Sequence, residues 1–540
     1  MEWNETAIAM QRAAVRATER WGNKEVEALN RVYLAALLES AGYGAASIEE
    51  LDRADRLFRS LPQGETITNL QLNARLRSAE AVASGPNARK AVDLLNSFTS
   101  LPEYSSLRDR MRIQQALGVA LQQVGDFDGA AGHFHEAIRI QQQQVQSLSE
   151  PLRRLAVAEI AAESFRKLTQ IQLLNAHDAA GAFRTWELYR NQPVATKAAE
   201  SPVASVDDPA SVSLTFAVLP AGVAVWLTTK EGSRGDVLSV PEVELERDVK
   251  TFHRLCASPS SNLVDLRSLA HKLHFELLAP YWARISKARR IVLQMDMWLS
   301  ALPFRALIDD EGNYLGDRFA ITMADRNGTA VGREAIRALS PNDRSLIVSV
   351  PTAGARAGLP FLKSAEAEAS ELASRLNHPV VLRGRDATIE SVAREIPAAK
   401  LFHFAGHAWS NAGNAGLLLP TDPQSGEAYL SAPDIEAQDW SRCELAVLSA
   451  CLTASGEERG PVNPQSLVRA LLAAGVRRVI ASRWSVDSDA THALMTSFYD
   501  ELFAGASPVQ ALHQATARVR SMAAWSHPYY WAAFDVFGAQ

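Results

Sequence analysis

Two short apolar runs, each followed by a reactive side chain, place the strongest constraint on how this chain can fold. Residues 401–406 precede His407, and residues 445–450 precede Cys451. Continuous apolar runs of this length, bounded by turn residues, are typical of buried strands in a parallel sheet. Functional groups collect at the carboxyl ends of such strands. If the two strands are neighbours, an imidazole and a thiol face each other across one crevice, and the pattern predicts a cysteine nucleophile with an adjacent base.

The composition excludes several other classes of protein. The chain has 540 residues, a net charge of −6 and only three cysteines, which are Cys256, Cys443 and Cys451. This charge gives no overall attraction to nucleic acid, and so few cysteines do not make a disulfide framework or a zinc site. Residues 1–21 lack the apolar core of a signal peptide, and the longest apolar run, 214–227, is too short to span a bilayer. We therefore predict a cytoplasmic protein with no membrane or nucleic-acid partner.

Residues 1–200 have the composition of successive helices, rich in Ala, Leu, Gln, Glu and Arg. One segment has the spacing of a tetratricopeptide repeat, in which small residues let two helices approach closely and a phenylalanine fills the gap. Its matching residues are Leu117, Gly118, Leu121, Gly125, Ala130, Phe134 and Ala137. A weaker unit follows over 155–190. The alternative is an irregular helical bundle.

The pattern changes after a proline-containing linker at 191–212. Strands then alternate with helices, which predicts a parallel sheet covered on both faces. The run 214–227 is expected to form a strand, a turn and a second strand, because Pro220 and Gly222 interrupt it. Further strands are predicted at 291–295, 345–350, 380–382 and 479–482, with helices at 364–376, 388–396 and 464–474. Ser507 and Gln510 form a predicted capping box at the start of a last helix.

Taken singly, the two reactive residues have ordinary explanations. A cysteine at a strand end is usually a small buried hydrophobe, and a lone histidine is usually a satisfied core or surface group. The combination favours catalysis because each residue precedes a polar or Gly-rich loop, at 410–416 and 453–461. His403 could help orient the site but is better explained as a hydrogen-bonded core histidine. Ser449 is better explained by packing, with polar support for the site as the alternative. Cys443 precedes its strand and is expected to be inert.

Several motifs of the C-terminal half occur together in a fixed order. They are Leu-Pro-Phe at 302–304 with Leu307, Leu-Pro at 359–360 with Glu366 and Glu368, His-Phe-Ala-Gly-His at 403–407, Leu-Ser-Ala-Cys-Leu-Thr at 448–453, Trp-Ser-Val-Asp at 484–487, 498–502 and 527–534. With these motifs, residues 214–540 resemble a CHAT domain, a caspase-like domain often found with tetratricopeptide repeats. The family acts in bacterial defence and programmed death, among other roles.

The resemblance implies a fold, a division into domains and a set of site residues. Residues 1–200 would form an all-α helical repeat domain, and 213–540 an α/β caspase-like peptidase domain with an α/β/α sandwich. Within it, 213–340 would be the inactive half and 341–540 the active half. His407 would be the general base and acid, Cys451 the nucleophile, and the backbone N–H groups of Ala408 and Cys451 the oxyanion hole. The family usually has glycine where this chain has Ala408.

Substrate selection has two explanations at this stage. In the related separase, acidic residues near the end of the strand at 479–482 receive a basic side chain, and Asp487 or Asp489 occupies this place here. Alternatively, one of the two caps the helix that starts there, which is the explanation we favour. Trp484 would form a wall of the substrate cleft or part of the core.

These observations lead to a functional hypothesis with two rivals. We predict a cysteine endopeptidase that needs no metal or cofactor. Its helical repeats would bind a protein substrate or a regulatory protein that restrains it. The rivals are a catalytically idle caspase-like scaffold and a cysteine-dependent acyl hydrolase acting on small esters or amides.

Overall fold

The chain divides into two compact units in the computed structural model, Met1–Thr196 and Lys197–Gln540. The structure describes residues 2–62, 65–85, 88–99, 106–148, 154, 157, 160–191, 208–324, 338–351, 361–411, 414–422, 426–450, 467–485 and 487–538. Cys451 and the predicted loop 453–461 lie outside the described residues.

The first unit is helical throughout the residues that the structure describes, as predicted. Its helices are α1 (Glu2–Trp21), α2 (Lys24–Ser40), α3 (Gly44–Arg59), α4 (Glu65–Ala83), α5 (Ala88–Thr99), α6 (Leu107–Gln123), α7 (Phe127–Gln146), α8 (Ala162–Leu174) and α9 (Ala179–Asn191). Each of these helices packs against the next one along the chain. Such nearest-neighbour packing is what helical repeats share.

The pair α6 and α7 shows why small residues occur at the predicted repeat positions. Ser106 caps α6 and Asp126 caps α7, each by accepting a backbone N–H of the first turn. A Cβ atom added at Gly118 would lie 2.6 Å from the ring of Phe134, which is fully buried. Glycine therefore lets the phenylalanine ring lie directly against the backbone of α6.

The second unit is built on an eleven-stranded sheet. Its strands are β1 (Ser211–Leu219), β2 (Gly222–Thr229), β3 (Gly232–Leu238), β4 (Arg290–Gln294), β5 (Ala320–Met323), β6 (Ser345–Val350), β7 (Pro379–Arg383), β8 (Leu401–Gly406), β12 (Leu445–Ser449), β13 (Arg478–Ser482) and β14 (Phe534–Gly538). A separate three-stranded sheet contains β9 (Ala408–Asn411), β10 (Asn414–Asp422) and β11 (Gly426–Ser431). The predicted strand, turn and strand at 214–227 is confirmed as the hairpin of β1 and β2.

The helices of this unit lie between the strands along the chain. They are α10 (Glu242–Cys256), α11 (Leu263–Leu278), α12 (Trp282–Ile285), α13 (Leu315–Arg318), α14 (Lys363–Ser374), α15 (Ile389–Glu395), α16 (Ala432–Glu436), α17 (Leu467–Ala473), α18 (Ser488–Phe503), α19 (Pro508–Ser521) and α20 (Pro528–Trp531). The predicted capping box of Ser507 and Gln510 is confirmed at the start of α19. Of the predicted helix 464–474, the structure describes only the part from residue 467 onward.

The large sheet is mixed, whereas the alternation of strands and helices predicted a parallel one. Its order is β3-β2-β1-β4-β5-β14-β13-β12-β8-β6-β7. The tight turns between β1, β2 and β3 force antiparallel pairing, because parallel strands need a long crossover. The strands β1, β4, β5 and β14 are mutually parallel, as are β13, β12, β8, β6 and β7. These two blocks run in opposite directions, since β14 and β13 are antiparallel.

Alternation along the strands divides the core between the two faces of the sheet. Leu401, Val447 and Ile480 pack into one apolar cluster together with side chains of α14, α18 and α19. Phe402 and Leu448 pack into a second cluster with side chains of α15, α16 and α17. Helices thus cover both faces of the block that carries β8 and β12. An α/β sandwich of this kind was predicted for the region.

Candidate active site

The strands that end near the two reactive residues are neighbours. β8 and β12 pair in parallel, and the ladder runs from Leu401 opposite Leu445 to Ala405 opposite Ser449. Parallel neighbours end at the same edge of a sheet, so the segments that continue to His407 and Cys451 leave from one edge. The condition on which the predicted crevice depends, that the two strands are neighbours, is therefore met.

His407 lies immediately beyond β8 and is buried, with 6% of its surface exposed. Its carbonyl oxygen accepts a hydrogen bond of 2.9 Å from the backbone N–H of Leu418 in β10. The preceding residue, Gly406, has room for no side chain, because a Cβ atom there would lie 2.9 Å from the Phe404 ring and 3.0 Å from the Val350 carbonyl oxygen. The close packing at Gly406 and the backbone hydrogen bond at His407 fix the position of the backbone that carries the imidazole.

The backbone after His407 forms a β-hairpin, where the sequence predicted a loop over 410–416. β9 pairs with β10 in antiparallel register, with Ala408 opposite Leu417. The pair of His407 and Leu418 is hydrogen-bonded, so the next pair along an antiparallel ladder is a non-hydrogen-bonded one. The N–H of Ala408 is therefore directed away from β10, on the side of β9 where no other strand pairs among the described residues.

A cleft of about 380 Å³, part of it open to solvent, lies where β8 and β12 end. Gly406, Ser449 and Ala450 contribute the strand ends. The first two turns of α14 and the first turn of α18 form two other walls, through Leu362, Ser364, Ala365, Glu368, Ser488 and Thr491. Phe534 completes the lining. The arrangement matches the crevice that open parallel sheets form at the carboxyl ends of their strands.

A buried polar cluster lies beneath this cleft. Glu368, with 5% of its surface exposed, accepts a hydrogen bond of 3.0 Å from the hydroxyl of Ser449. Its other oxygen lies 3.1 Å from Nε2 of the fully buried His403, and Nδ1 of that histidine is 2.7 Å from the hydroxyl of Tyr499. His403 is thus a core histidine with polar partners, the interpretation that the sequence favoured.

The other two cysteines have the surroundings of inert thiols. Burial raises the pKa of Cys443 to about 12 and raises that of Cys256 well above its usual value. Because the thiolate is the reactive form, both side chains stay unreactive near neutral pH. The residues that the structure describes contain no cluster of three or more side chains that could hold a metal ion, and no helix among them is long and apolar enough to cross a membrane.

Comparison with known proteins identifies the region that carries the cleft. The model of the CHAT domain matches residues 267–539, about half of the chain. The chain belongs to the CHAT domain family. The match includes β4 to β14, while β1 to β3 precede it in the sequence and lie in the same sheet. The CHAT fold is that of caspase-like peptidases.

Among curated proteins, the chain is similar to Tetratricopeptide repeat protein 28 of Mus musculus, with 28% identity over 312 residues, and to the human protein of that name, with 27% identity over 301 residues. Each match covers 47% of this chain and 12% of the relative, so the chain spans about an eighth of the length of these relatives. Among solved structures, a Saccharomyces cerevisiae separase–securin complex gives a TM-score of 0.46 at 9% identity, covering 95% of this chain and 53% of that one. The RgpB pro- and mature-domain complex of Porphyromonas gingivalis gives a TM-score of 0.36 at 12% identity, covering 55% of this chain and 77% of that one. At these scores the structural likenesses carry no functional argument.

Within the CHAT region, the acidic residues after β13 have a structural role. Asp487 caps α18, and one carboxylate oxygen accepts 3.0 Å hydrogen bonds from the backbone N–H groups of Asp489 and Ala490. This confirms the cap that the sequence favoured and assigns it to Asp487. Trp484 is buried, and its indole N–H donates a hydrogen bond of 3.1 Å to the carbonyl oxygen of Tyr529. Trp484 is therefore part of the core.

Three residues of the CHAT region meet in the buried cluster. The sequence showed Glu368 and Tyr499 only as parts of family motifs, whereas His403 was predicted to be a core histidine that could also help orient the site. They lie on α14, α18 and β8, and Glu368 and Tyr499 contact His403 from 35 and 96 residues away along the chain. A polar residue inside an apolar strand, as His403 is, was the one local signal that something other than packing occurs at this place.

Proposed function

We propose that the chain is a cysteine endopeptidase in which Cys451 is the nucleophile and His407 the base. The observation that carries the proposal is the parallel pairing of β8 with β12, the two strands that precede these residues. Membership of the CHAT family supports the same assignment. No metal or cofactor enters the proposed reaction.

The proposed reaction has two halves, acylation and deacylation. In each half His407 accepts one proton and then donates it. His407 takes the thiol proton of Cys451, and the sulfur attacks the peptide carbonyl carbon. The N–H groups of Ala408 and Cys451 stabilise the oxyanion, a role for which the outward direction of the Ala408 N–H is favourable. The C–N bond breaks as His407 gives its proton to the leaving amine. Water, deprotonated by His407, then releases the acyl group and restores the thiol.

We propose that the cleft holds the substrate side chain before the scissile bond. Ser488 lines the cleft, and Asp487 and Asp489 flank it in the chain. With Asp487 or Asp489 at its rim and Trp484 packed behind, the site would favour lysine or arginine, because a carboxylate stabilises an incoming cation. Profiling with a peptide library tests this: Asp487→Asn or Asp489→Asn should reduce cleavage after basic residues more than after neutral ones. A preference for acidic or small apolar residues in the wild type would contradict it.

We also assign the helical repeats a recruiting role. α1 to α9 pack in succession and offer a surface for a protein substrate or a regulatory protein that restrains the peptidase. A chain lacking the first unit should keep a reactive Cys451 and lose capture of its native substrate. Equal cleavage of that substrate by the shortened chain would contradict this role.

Mapping of new protein termini tests the central proposal. Cells that express the wild type should contain new termini that are absent with Cys451→Ala and with His407→Ala. Cys443→Ala is the matched control and should cleave like the wild type, because Cys443 is buried and precedes β12, away from the end that leads to Cys451. The double variant of Cys451 and His407 should be no worse than either single variant, since the two act as one unit.

Two outcomes would overturn the proposal in favour of its rivals. Identical termini in wild type and Cys451→Ala cells would indicate a catalytically idle scaffold. Turnover of small esters that depends on Cys451, without any peptide cleavage, would indicate an acyl hydrolase.

The assignment of the base has its own test. Loss of activity in His403→Ala with full activity in His407→Ala would show that the base is His403.

A further inference from the structure

The carboxylate of Glu368 joins the two strands that precede the proposed dyad. Its Oε2 accepts a hydrogen bond of 3.0 Å from the hydroxyl of Ser449 on β12, and its Oε1 lies 3.1 Å from Nε2 of His403 on β8. Ser449 is two residues before Cys451, and His403 is four residues before His407. A single side chain from α14 therefore contacts both strands from one face of the sheet.

This contact lies at the last pair of the ladder that the described residues form. The last pair of the ladder is Ala405 with Ser449. Beyond it, the chain after β8 turns to pair with β10, as the hydrogen bond from Leu418 to His407 shows. On the other side, the hydroxyl of Ser482 holds the carbonyl oxygen of Ala450 at 2.6 Å. Within the described residues, these side-chain hydrogen bonds join the end of β12 to α14 and to β13.

Tyr499 fixes the orientation of the histidine in this cluster. Its hydroxyl lies 2.7 Å from Nδ1 of His403. Burial and the nearby Glu368 raise the pKa of Tyr499 well above its usual value, so the phenol keeps its proton. We assign the phenol as donor to Nδ1, which places the imidazole proton on Nε2, facing Glu368.

The polar side chains of this cluster lower stability compared with apolar side chains of similar volume. Oε1 of Glu368 and Nε2 of His403 are buried, and although they face each other they are not aligned as a hydrogen bond. Buried polar atoms without a well-formed hydrogen bond lower stability, and apolar side chains of similar volume at such places are often neutral or stabilising. The side chains around them belong to a large apolar core. Stability alone does not account for a carboxylate and an imidazole at this place.

We propose that Glu368 is a positioning residue that sets the alignment of the thiol of Cys451 with the imidazole of His407. It acts through Ser449 and His403 and does not itself contact the reacting atoms. The inference rests on the proposed function, because it concerns the same dyad. Polar partners one shell away from reacting groups commonly set their geometry, and small misplacements cost large factors in rate.

Alkylation of the full-length chain by iodoacetamide, followed for each cysteine by mass spectrometry between pH 5 and pH 9, tests the inference. Glu368→Ala should slow alkylation of Cys451 at neutral pH by about tenfold and move its pH profile up toward that of an ordinary thiol, near about 8.5. Glu368→Gln keeps an oxygen that accepts from Ser449 and should restore the rate to within about threefold of wild type. Combining Glu368→Ala with Ser449→Ala should slow alkylation no further, because both substitutions remove the same hydrogen bond.

The chain supplies its own controls. Glu371 lies one turn further along α14 and also has polar partners among the described residues, Arg375, Thr496 and His492, but these partners lie at the end of α14 and on α18 and not on β8 or β12. Glu371→Ala should therefore leave Cys451 alkylation unchanged. Cys256 and Cys443 are buried, so their labelling reports loosening of the fold.

The outcomes separate this inference from the proposed function. Wild-type alkylation with the profile of an ordinary thiol would overturn both. A depressed wild-type profile that Glu368→Ala does not alter would overturn the positioning role alone. So would an equal loss in Glu371→Ala, or labelling of Cys443 together with the loss at Cys451, because either result would indicate a general effect on folding.

Discussion

At the scale of single residues, the start of α18 shows how one carboxylate serves the fold beside the cleft. Asp487 accepts two backbone N–H groups that the helix cannot satisfy by itself. Its negative charge also lies at the positive end of the helix dipole. Because Ser488 and Thr491 in the same turn line the cleft, the cap sets the position of that wall.

Replacing Asp487 separates the capping role from the proposed role in substrate selection. Asp487→Ala should lower the free energy of unfolding by about 1 kcal/mol, whereas Asp487→Asn should cost only a few tenths, because asparagine caps nearly as well. Urea denaturation of the two variants measures the difference. Equal losses in both variants would show that the charge and not the hydrogen bonds matters at this helix start.

At the scale of elements, α6 and α7 show how a repeat helix pair depends on one missing side chain. Gly118 faces the fully buried Phe134, and any Cβ there would overlap its ring. Gly132 lies in α7 on the exposed side, with no atom within 4 Å of the position of a Cβ. Both glycines lie inside a helix, but Gly118 is packed against a ring and Gly132 is exposed.

A pair of alanine substitutions makes this difference measurable. Gly118→Ala should lower the free energy of unfolding of the first unit by about 1–3 kcal/mol, since overpacking outweighs the better helix propensity of alanine. Gly132→Ala should raise it by about 0.5–1 kcal/mol through that propensity alone. Thermal or urea unfolding followed by circular dichroism measures both. A stabilising effect at Gly118 would contradict the close contact of the two helices.

At the scale of the whole second unit, the two blocks of the large sheet are joined by β14, which is remote in sequence from the strand on one side of it. β14 pairs with β5 and with β13, so it completes both blocks at once. Buried side chains reinforce this seam, because Asp535 of β14 pairs with Arg305 and with Arg483. His253 of α10 packs edge-on against Trp484 beyond β13, at 5.5 Å between ring centroids.

The pH dependence of stability should report this seam through His253. Burial, together with the nearby Arg483, lowers the pKa of His253 from 6.5 to about 4. The unfolded chain therefore binds this proton more readily, and stability should fall as the pH drops from 6.5 to 4, by up to about 3 kcal/mol. His253→Phe should remove that part of the dependence. Urea unfolding at several pH values measures this dependence, and hydrogen exchange of the β13 amides reports the seam itself. An equal slope of stability against pH in His253→Phe would refute the assignment to His253.

The sequence alone determined the local features of this protein. Composition predicted that the first unit is helical, and apolar runs, turn residues and a cap located β6, the hairpin of β1 and β2 and the start of α19, because each depends on residues close together in the chain. The short apolar runs before His407 and Cys451 identified two buried strands and the edge of the sheet at which both end. A resemblance in motifs identified the CHAT region, which the family match confirms.

Only the tertiary structure decided which elements meet. The antiparallel joint of the two blocks, the hairpin after His407 and the position of β14 inside the sheet have no local signature, since strand pairing is chosen by long-range packing. The cluster of Glu368, His403, Tyr499 and Ser449 has the same origin, because its members lie on four different elements. Their residue types are visible in the sequence, but their shared hydrogen bonds exist only once the sheet and its two helices have packed.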